Sequence, residues 1–383
     1  IGRMREFNED ARDIIQTRER DERAALIEGY SGPLAELRTE EVALRDTAIS
    51  RLENFLVRYP RSTHTPHAMF LLGDLYYEES EEAFAEESKA YERIFAEGGA
   101  ALENPPEPPM RDHGRALRLF NGIVEFFPEY RNADGAWYML GFIRKRDETL
   151  QSDERMGRDA YLALVDSHPT SEFAAAAHMA LGEHFFDNHD IDRAIHHYSE
   201  VVDGFGTDGQ HYEKGLYKLA WSHYKLSNYD VGLDLLAKLL DWSEENFMRS
   251  GKRSAMAPEA VEYTAISFSD QSDQAEMHPV DVAKAFYSRI GEREYENKVY
   301  DRLANVLMQQ ARYAEAITAY DYLIQRWPTE PENPTYMWTI AKLYRSLDVP
   351  DHAAAQNTIT RLNELFNRDS AWAHANRNNP DAL

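Results

Sequence analysis

The chain has 383 residues, 43% hydrophobic and 28% charged, with 22 Tyr, 17 Phe and 6 Trp, so an ordered core is affordable and a disordered chain is set aside. Acidic residues outnumber basic ones 67 to 42, a net charge of −25 that repels phosphate backbones, and no basic stripe interleaved with aromatics offsets it; nucleic acid is not an expected partner. With no cysteine there are no disulfides, thiolate metal sites or cysteine nucleophiles, and no apolar run reaches the roughly 18 residues a membrane span needs. The acidic surface reads first as a well-solvated one, with room for attraction to a basic partner. The first residue is Ile1 rather than Met, which leads us to expect an upstream segment such as a signal peptide or lipid-anchored leader.

Residues 1–28, alternating Arg with Asp and Glu, read as a polar helix or cap. Ala48, Leu52, Phe55 and Pro60 then spell a helix that ends at a proline, paired with whatever lies around Leu34–Leu44. Pro66–Tyr77 supplies a first helix through Leu72-Gly73 and Tyr76, and its second is delayed to Arg111–Pro128, with Ala116, Phe120 and Ile123 at helical spacing. Between them, residues 78–110 carry a glutamate-rich run, a short helix around Lys89–Phe95 and prolines at 105, 106, 108 and 109. They read as an inserted solvated loop with extended, polyproline-like character, or as an acidic docking element.

From Asp134 a stricter pattern sets in. Trp137, Leu140-Gly141, Gly157, Tyr161, Leu164 and Pro169 are followed by Ala175–Asp208, with Leu181-Gly182, Phe185, Ala194, Tyr198 and Val201. Glu213–Asn246 repeats it through Leu219-Ala220, Tyr224, Tyr229, Gly232, Leu236 and Leu239. Pro258–Phe268 pairs with Val282–Ile290 through Ala265, Ala283 and Tyr287. Asn297–Glu330 is the fullest copy, with Tyr300, Leu303, Ala304, Leu307, Ala316, Ile317, Tyr320, Leu323 and Pro328, and Tyr336–Tyr344 with Ala341 pairs with a helix beginning near Asp351. Residues 369–383 form a polar tail whose Trp372 is placed to dock on the last helix.

An aromatic, Leu-Gly, a Tyr or Phe, an Ala, another aromatic and a closing Pro over about 34 residues resemble the tetratricopeptide repeat. The resemblance implies an all-α solenoid of helix-turn-helix pairs, a right-handed superhelix of about seven or eight repeats spanning residues 29–368. It also implies a protein-binding concave groove lined by the first helix of each pair. Carried over position by position, that groove takes Phe70, Tyr77, Tyr138, Phe142, Lys145, Met179, Phe186, Tyr217, Trp221, Tyr224, Lys225, Asp301, Asn305, Met308, Trp338, Lys342 and Arg345. The set is aromatic for a surface that meets solvent, which suits an extended peptide or a helix held by apolar anchors. Repeats that grip a peptide carboxylate use Lys and Asn at these positions; only Lys145 and Asn305 fit, so that activity is not implied.

Chemistry is absent from the sequence. Gly204-Phe-Gly206-Thr-Asp-Gly209 matches a dinucleotide fingerprint, but a helix precedes it where a strand is required, so its glycines serve a turn and no cofactor is expected. His178, His184, His189, His196 and His197 lack the i, i+4 spacing of a zinc helix and read as surface histidines pointing in different directions, with no metal site. No nucleophile motif or P-loop is present, and the chain is expected to be non-enzymatic. The closings Tyr59-Pro60, His168-Pro169 and Trp327-Pro328, with the tail from Ser370, resemble bacterial envelope repeat proteins of outer-membrane assembly, the Tol system and gliding motility. The resemblance implies a periplasmic or outer-membrane-associated scaffold, the alternatives being a chaperone or cargo holder, or a cytoplasmic location.

Overall fold

The computed structural model describes residues 2–97, 106–146, 153–207 and 209–379; of the side chains before residue 29 it describes those at 18–20, 23 and 27. Among the described residues every regular element is an α-helix. They fall into two units, Ile1–Phe173 and Ala174–Leu383.

The first unit opens with one unbroken helix, α1 (Gly2–Arg58), followed by α2 (Thr65–Glu97), α3 (Gly114–Phe126), α4 (Ala133–Arg146) and α5 (Asp153–Ser167). The expected helix pair around Leu34–Leu44 and Ala48–Pro60 is therefore a single helix that continues the N-terminal segment, with Pro33 inside it. No turn separates the halves because the run between them, Leu34 to Ile49, holds neither Gly nor Pro. Within the expected insertion, α2 runs on through the glutamates to Glu97, so that stretch is helix and not loop; residues 98–105 lie outside the described residues, and 106–113 are irregular.

Charge explains the extension of α2. Glu82 pairs with Arg45 at 2.5 Å, Glu86 with Arg38 at 3.0 Å, Glu81 with Arg111 at 3.1 Å and Glu79 with Arg115 at 2.8 Å. The Arg45 side chain is only 10% exposed, so its pairing with Glu82 is shielded more than the others, which sit at the surface and contribute little singly. Arg115 also lies over the Tyr76 ring at 3.6 Å, and the Tyr76 hydroxyl donates to Glu53 at 2.5 Å. The acidic run is thus tied to α1 and α3 by arginines, a structural role that composition alone did not reveal. Beneath it Leu72, Phe120, Ile123, Leu140 and Ile143 form the apolar core.

The second unit continues the pairs without interruption: α6 (Ala174–Asp187) with α7 (Ile191–Gly204), α8 (Tyr212–Lys225) with α9 (Tyr229–Ser250), and α10 (Ala257–Ala275) with α11 (Pro279–Ile290). Then come α12 (Glu296–Gln309) with α13 (Tyr313–Arg326), α14 (Asn333–Ser346) with α15 (His352–Leu365), and the short α16 (Ala371–Asn376). Trp372 on α16 is buried, but it docks on the α13–α14 turn as well as beside Phe366: its indole N–H donates to the Glu330 carbonyl at 2.7 Å. In the turn at Gly204–Gly209, only Gly206 among the described residues takes a positive φ, of 75°.

Two ladders of small residues explain why the helices pack this way. On the first helices the small residue at the closest approach is Gly73, Gly141, Gly182, Ala220, Ala265, Ala304 or Ala341; on the second it is Ala116, Gly157, Ala194, Gly232, Ala283, Ala316 or Ala355. All are buried. One turn after the second ladder comes a large side chain, Phe120, Tyr161, Tyr198, Leu236, Tyr287 or Tyr320, which fills the space the small residues leave. A Cβ on Gly73 would stand 2.8 Å from the Phe120 ring, and one on Gly141 2.6 Å from that of Tyr161.

The junctions between second and first helices share one geometry at the prolines. The residue before each proline donates the last helical bond, as in Phe127 N–H to the Ile123 carbonyl at 2.8 Å, His168 N–H to Leu164 at 2.8 Å and Trp327 N–H to Leu323 at 2.9 Å. The proline then stops the helix, since it offers no N–H and disfavours helical backbone before it. Ala194 and Ala316 are fully buried. Ala194→Leu and Ala316→Leu are each expected to lose about 1–3 kcal/mol through overpacking. Urea melts of the two variants check this, and unchanged midpoints in both would refute the packing register.

Candidate functional site

In the second unit, α6, α8 and α10 bring five aromatic side chains together. Phe186 lies 4.8 Å from Trp221 between ring centroids, Tyr217 6.4 Å from Trp221, and Tyr263 touches all three α8 rings: Tyr217 at 6.0 Å, Trp221 at 6.0 Å and Tyr224 at 5.8 Å. Helical spacing on α8 makes this possible, because Tyr217, Trp221 and Tyr224 stand at i, i+4 and i+7 on one face. All five rings are half-buried. Lys218 and Lys225 reach over Trp221 at 5.3 and 5.6 Å, and Lys218 also over Phe186 at 6.0 Å. Neither lysine makes an ion pair among the described residues, so two cations stand over the indole of a chain of net charge −25, while the Asp270 carboxylate sits beside Tyr224.

The phenols are held by neighbours and by desolvation. The Tyr224 hydroxyl donates to Asp270 at 2.6 Å. Burial, then the hydrogen bond to Asp270, pushes the Tyr224 hydroxyl well above its usual range. Burial and the neighbouring Tyr263 push that of Tyr217 up to about 12. Both stay neutral donors at ordinary pH, which suits binding rather than proton transfer.

Of the residues expected to line a groove, Phe186, Tyr217, Trp221 and Tyr224 are brought together; Tyr263 and Lys218 were missed. Aligning Thr264-Ala265 with Leu219-Ala220 would have found Tyr263, which occupies the Lys218 position of its own helix. Met179 is buried, 4% exposed, and leaves the surface. Asn305 is turned inward: its amide donates to the Asp301 carbonyl at 2.8 Å, and its side-chain oxygen accepts from the Tyr320 hydroxyl at 3.3 Å. Burial raises the Asp301 carboxyl above its ordinary value. Met308 is half-buried, while Arg345 and Trp338 are exposed, the latter with Lys342 at 5.8 Å from its ring.

The first unit has its own aromatic group. Tyr138 stacks on Phe142 at 6.0 Å and on Phe173 at 5.1 Å, and Tyr77 stacks on His113 at 5.1 Å and meets Phe142 edge-on at 6.0 Å. Arg146 donates to the Tyr77 hydroxyl at 3.3 Å. Phe70 is taken up in packing, edge-on to Phe120 at 5.6 Å, and Lys145 is exposed.

The histidine reading needs correcting. His178 and His197 do not point apart; both are buried and their Nδ1 atoms lie 3.0 Å apart, one ring donating to the other, with His197 stacked on Phe185 at 5.4 Å. Positions 178 and 197 face each other because their helices cross at the Gly182–Tyr198 contact. Among the described residues no group of three or more His, Cys, Asp or Glu is arranged to hold a metal ion.

Burial, then the charges of His178, His196 and Arg193, depresses the pKa of His197 from 6.5 to about 3. The unfolded chain therefore takes up this proton before the folded one does. Its contribution is complete above pH 6.5 and is lost as pH falls toward 3, with a slope of up to about 1.4 kcal/mol per pH unit. Urea midpoints at pH 7.5 and 5 should differ less in His197→Gln than in the parent; equal differences would contradict the buried pair.

A profile of the tetratricopeptide repeat family matches residues 156–208 and 302–357. Both of these stretches are tetratricopeptide repeats. The two matches cover most of α5, all of α6 and α7, and most of α12–α15; the pairs between them carry the same small residues, Ala220 with Gly232 and Ala265 with Ala283, but close at Gly251 and Gly291 instead of at a proline. A search of curated proteins found no match.

Solved structures that this chain matches include the C-terminal part of a TPR repeat-containing protein from Cytophaga hutchinsonii, 14% identical, covering 83% of this chain and 96% of its own, with a TM-score of 0.41. A tetratricopeptide repeat protein from Parabacteroides merdae is 13% identical over 76% of this chain and 98% of its own, at a TM-score of 0.34. MamA from Desulfovibrio magneticus is 15% identical over 50% of this chain and 94% of its own, at 0.25. Among the described residues no helix is long and apolar enough to cross a membrane.

Proposed function

We propose that this tetratricopeptide protein is a non-enzymatic scaffold whose main docking surface is the five-ring cluster of Phe186, Tyr217, Trp221, Tyr224 and Tyr263. The observation that carries the reading is the cluster itself: five half-buried rings in mutual contact with two cations over the central indole. Aromatic side chains gathered in a partly desolvated patch are what protein-binding hot spots are made of, because they bury much area at small entropic cost. The occupant we infer is a segment of another protein that inserts an apolar side chain beside Trp221 and sets a carboxylate against Lys218 or Lys225. The acidic remainder of the surface still favours basic flanks on that partner.

The finer reading is a subunit of a bacterial cell-envelope assembly, such as a motility or outer-membrane machine, at the periplasmic or outer-membrane side. Its support is the resemblance of the Tyr59-Pro60, His168-Pro169 and Trp327-Pro328 closings to envelope repeat proteins. A photo-crosslinking residue at position 263, followed by capture from native cells, tests both levels. A small set of envelope proteins captured at that position is the expected result. Indiscriminate capture of unfolded proteins would replace the scaffold with a chaperone, and cytoplasmic partners alone would refute the location.

A further inference from the structure

We propose that α1 carries a self-association seam, in which the exposed face of this helix pairs antiparallel with the same face of a second copy of the chain. Ile27, Tyr30, Leu34, Leu37 and Leu44, with Glu41, recur at alternating spacings of three and four residues, the period of a two-helix seam. Each of the five apolar side chains is at least 61% exposed. The helix α2 does not cover them: it packs on the neighbouring face through Ile49, Leu52 and the ion pairs of Arg38 and Arg45. Large apolar residues lining one face of a helix in open water need an occupant.

Two observations select a second copy. First, α1 holds 10 Arg against 13 Asp and Glu, so only −3 of the chain's net −25 lies on it, and self-association through this helix escapes most of the repulsion between like-charged chains. Second, the stripe is symmetric about a two-fold axis between Ala35 and Glu36. Antiparallel pairing about that axis sets Ile27 against Leu44 of the second copy, Leu34 against Leu37, and Tyr30 against Glu41. The one acidic residue of the stripe then meets a phenol hydroxyl that can donate to it, whereas parallel pairing would set Glu41 against Glu41. Gly29 and Gly32 have open space around their Cβ positions, and with Pro33 they weaken an isolated helix, so lateral support from a second copy is what would hold this stretch helical.

The chain has no cysteine, which gives a clean test. Sedimentation of the full chain is expected to give twice the monomer mass of 44.2 kDa, and Leu34→Glu with Leu37→Glu is expected to halve it. Far-UV circular dichroism of the variant should keep the helicity of the repeats, since both leucines are exposed. Under oxidation, Ile27→Cys with Leu44→Cys should link two chains, while Ile27→Cys alone should not, because antiparallel pairing holds the two copies of position 27 about 25 Å apart. A monomeric parent, a dimer that survives the glutamates, or efficient linkage through position 27 alone would each overturn the proposal.

Discussion

Gly182→Leu is expected to lower the unfolding free energy by about 3 kcal/mol. A Cβ at this position would fall inside the contact distance of the Tyr198 ring, which is fully buried and cannot swing into solvent. Leucine offers a helix propensity gain of nearly 1 kcal/mol over glycine, and overpacking a closed junction outweighs it. Gly232→Ala is the matched control: its nearest neighbour would be the Ala220 carbonyl at 3.4 Å, so the propensity gain should survive. Chemical denaturation of both variants decides the matter. If Gly182→Leu were as stable as the parent, the tyrosine would not be filling the space glycine leaves.

Trp221→Ala is expected to weaken partner binding by roughly 30-fold, the equivalent of about 2 kcal/mol for truncating a central aromatic anchor. The indole touches Phe186, Tyr217 and Tyr263 and carries both lysines, so its removal opens the middle of the patch. Trp338→Ala is the comparison, since that ring is 47% exposed and has only Lys342 over it; its loss should cost under about threefold. Affinities measured for the partner captured through position 263 provide the test. Equal losses in the two variants would mean that binding does not centre on the five-ring cluster.

Both expectations rest on the same physical feature. The small residues that let the helices close up also fix which faces of the first helices remain uncovered, so packing and recognition are set by one register. Where that register is regular, as in α6 to α9, the sequence was enough to place Tyr217, Trp221 and Tyr224 on a common face. Where it slips, the reading slipped too. The helix after Pro258 has Thr264-Ala265 in place of Leu-Gly, and Tyr263 was passed over.

Local chemistry visible in the sequence determined the helix pairs, their closing prolines and the small-residue ladders, because spacing, proline geometry and the absence of a Cβ act over a few residues. The tertiary structure alone decided the rest. It joined α1 into one helix, tied the glutamates of α2 to arginines up to about 50 residues away in sequence, buried His178 against His197 and turned Asn305 inward. Those outcomes depend on which side chains meet across helices, and a partner's distance through space is not written in its distance along the chain.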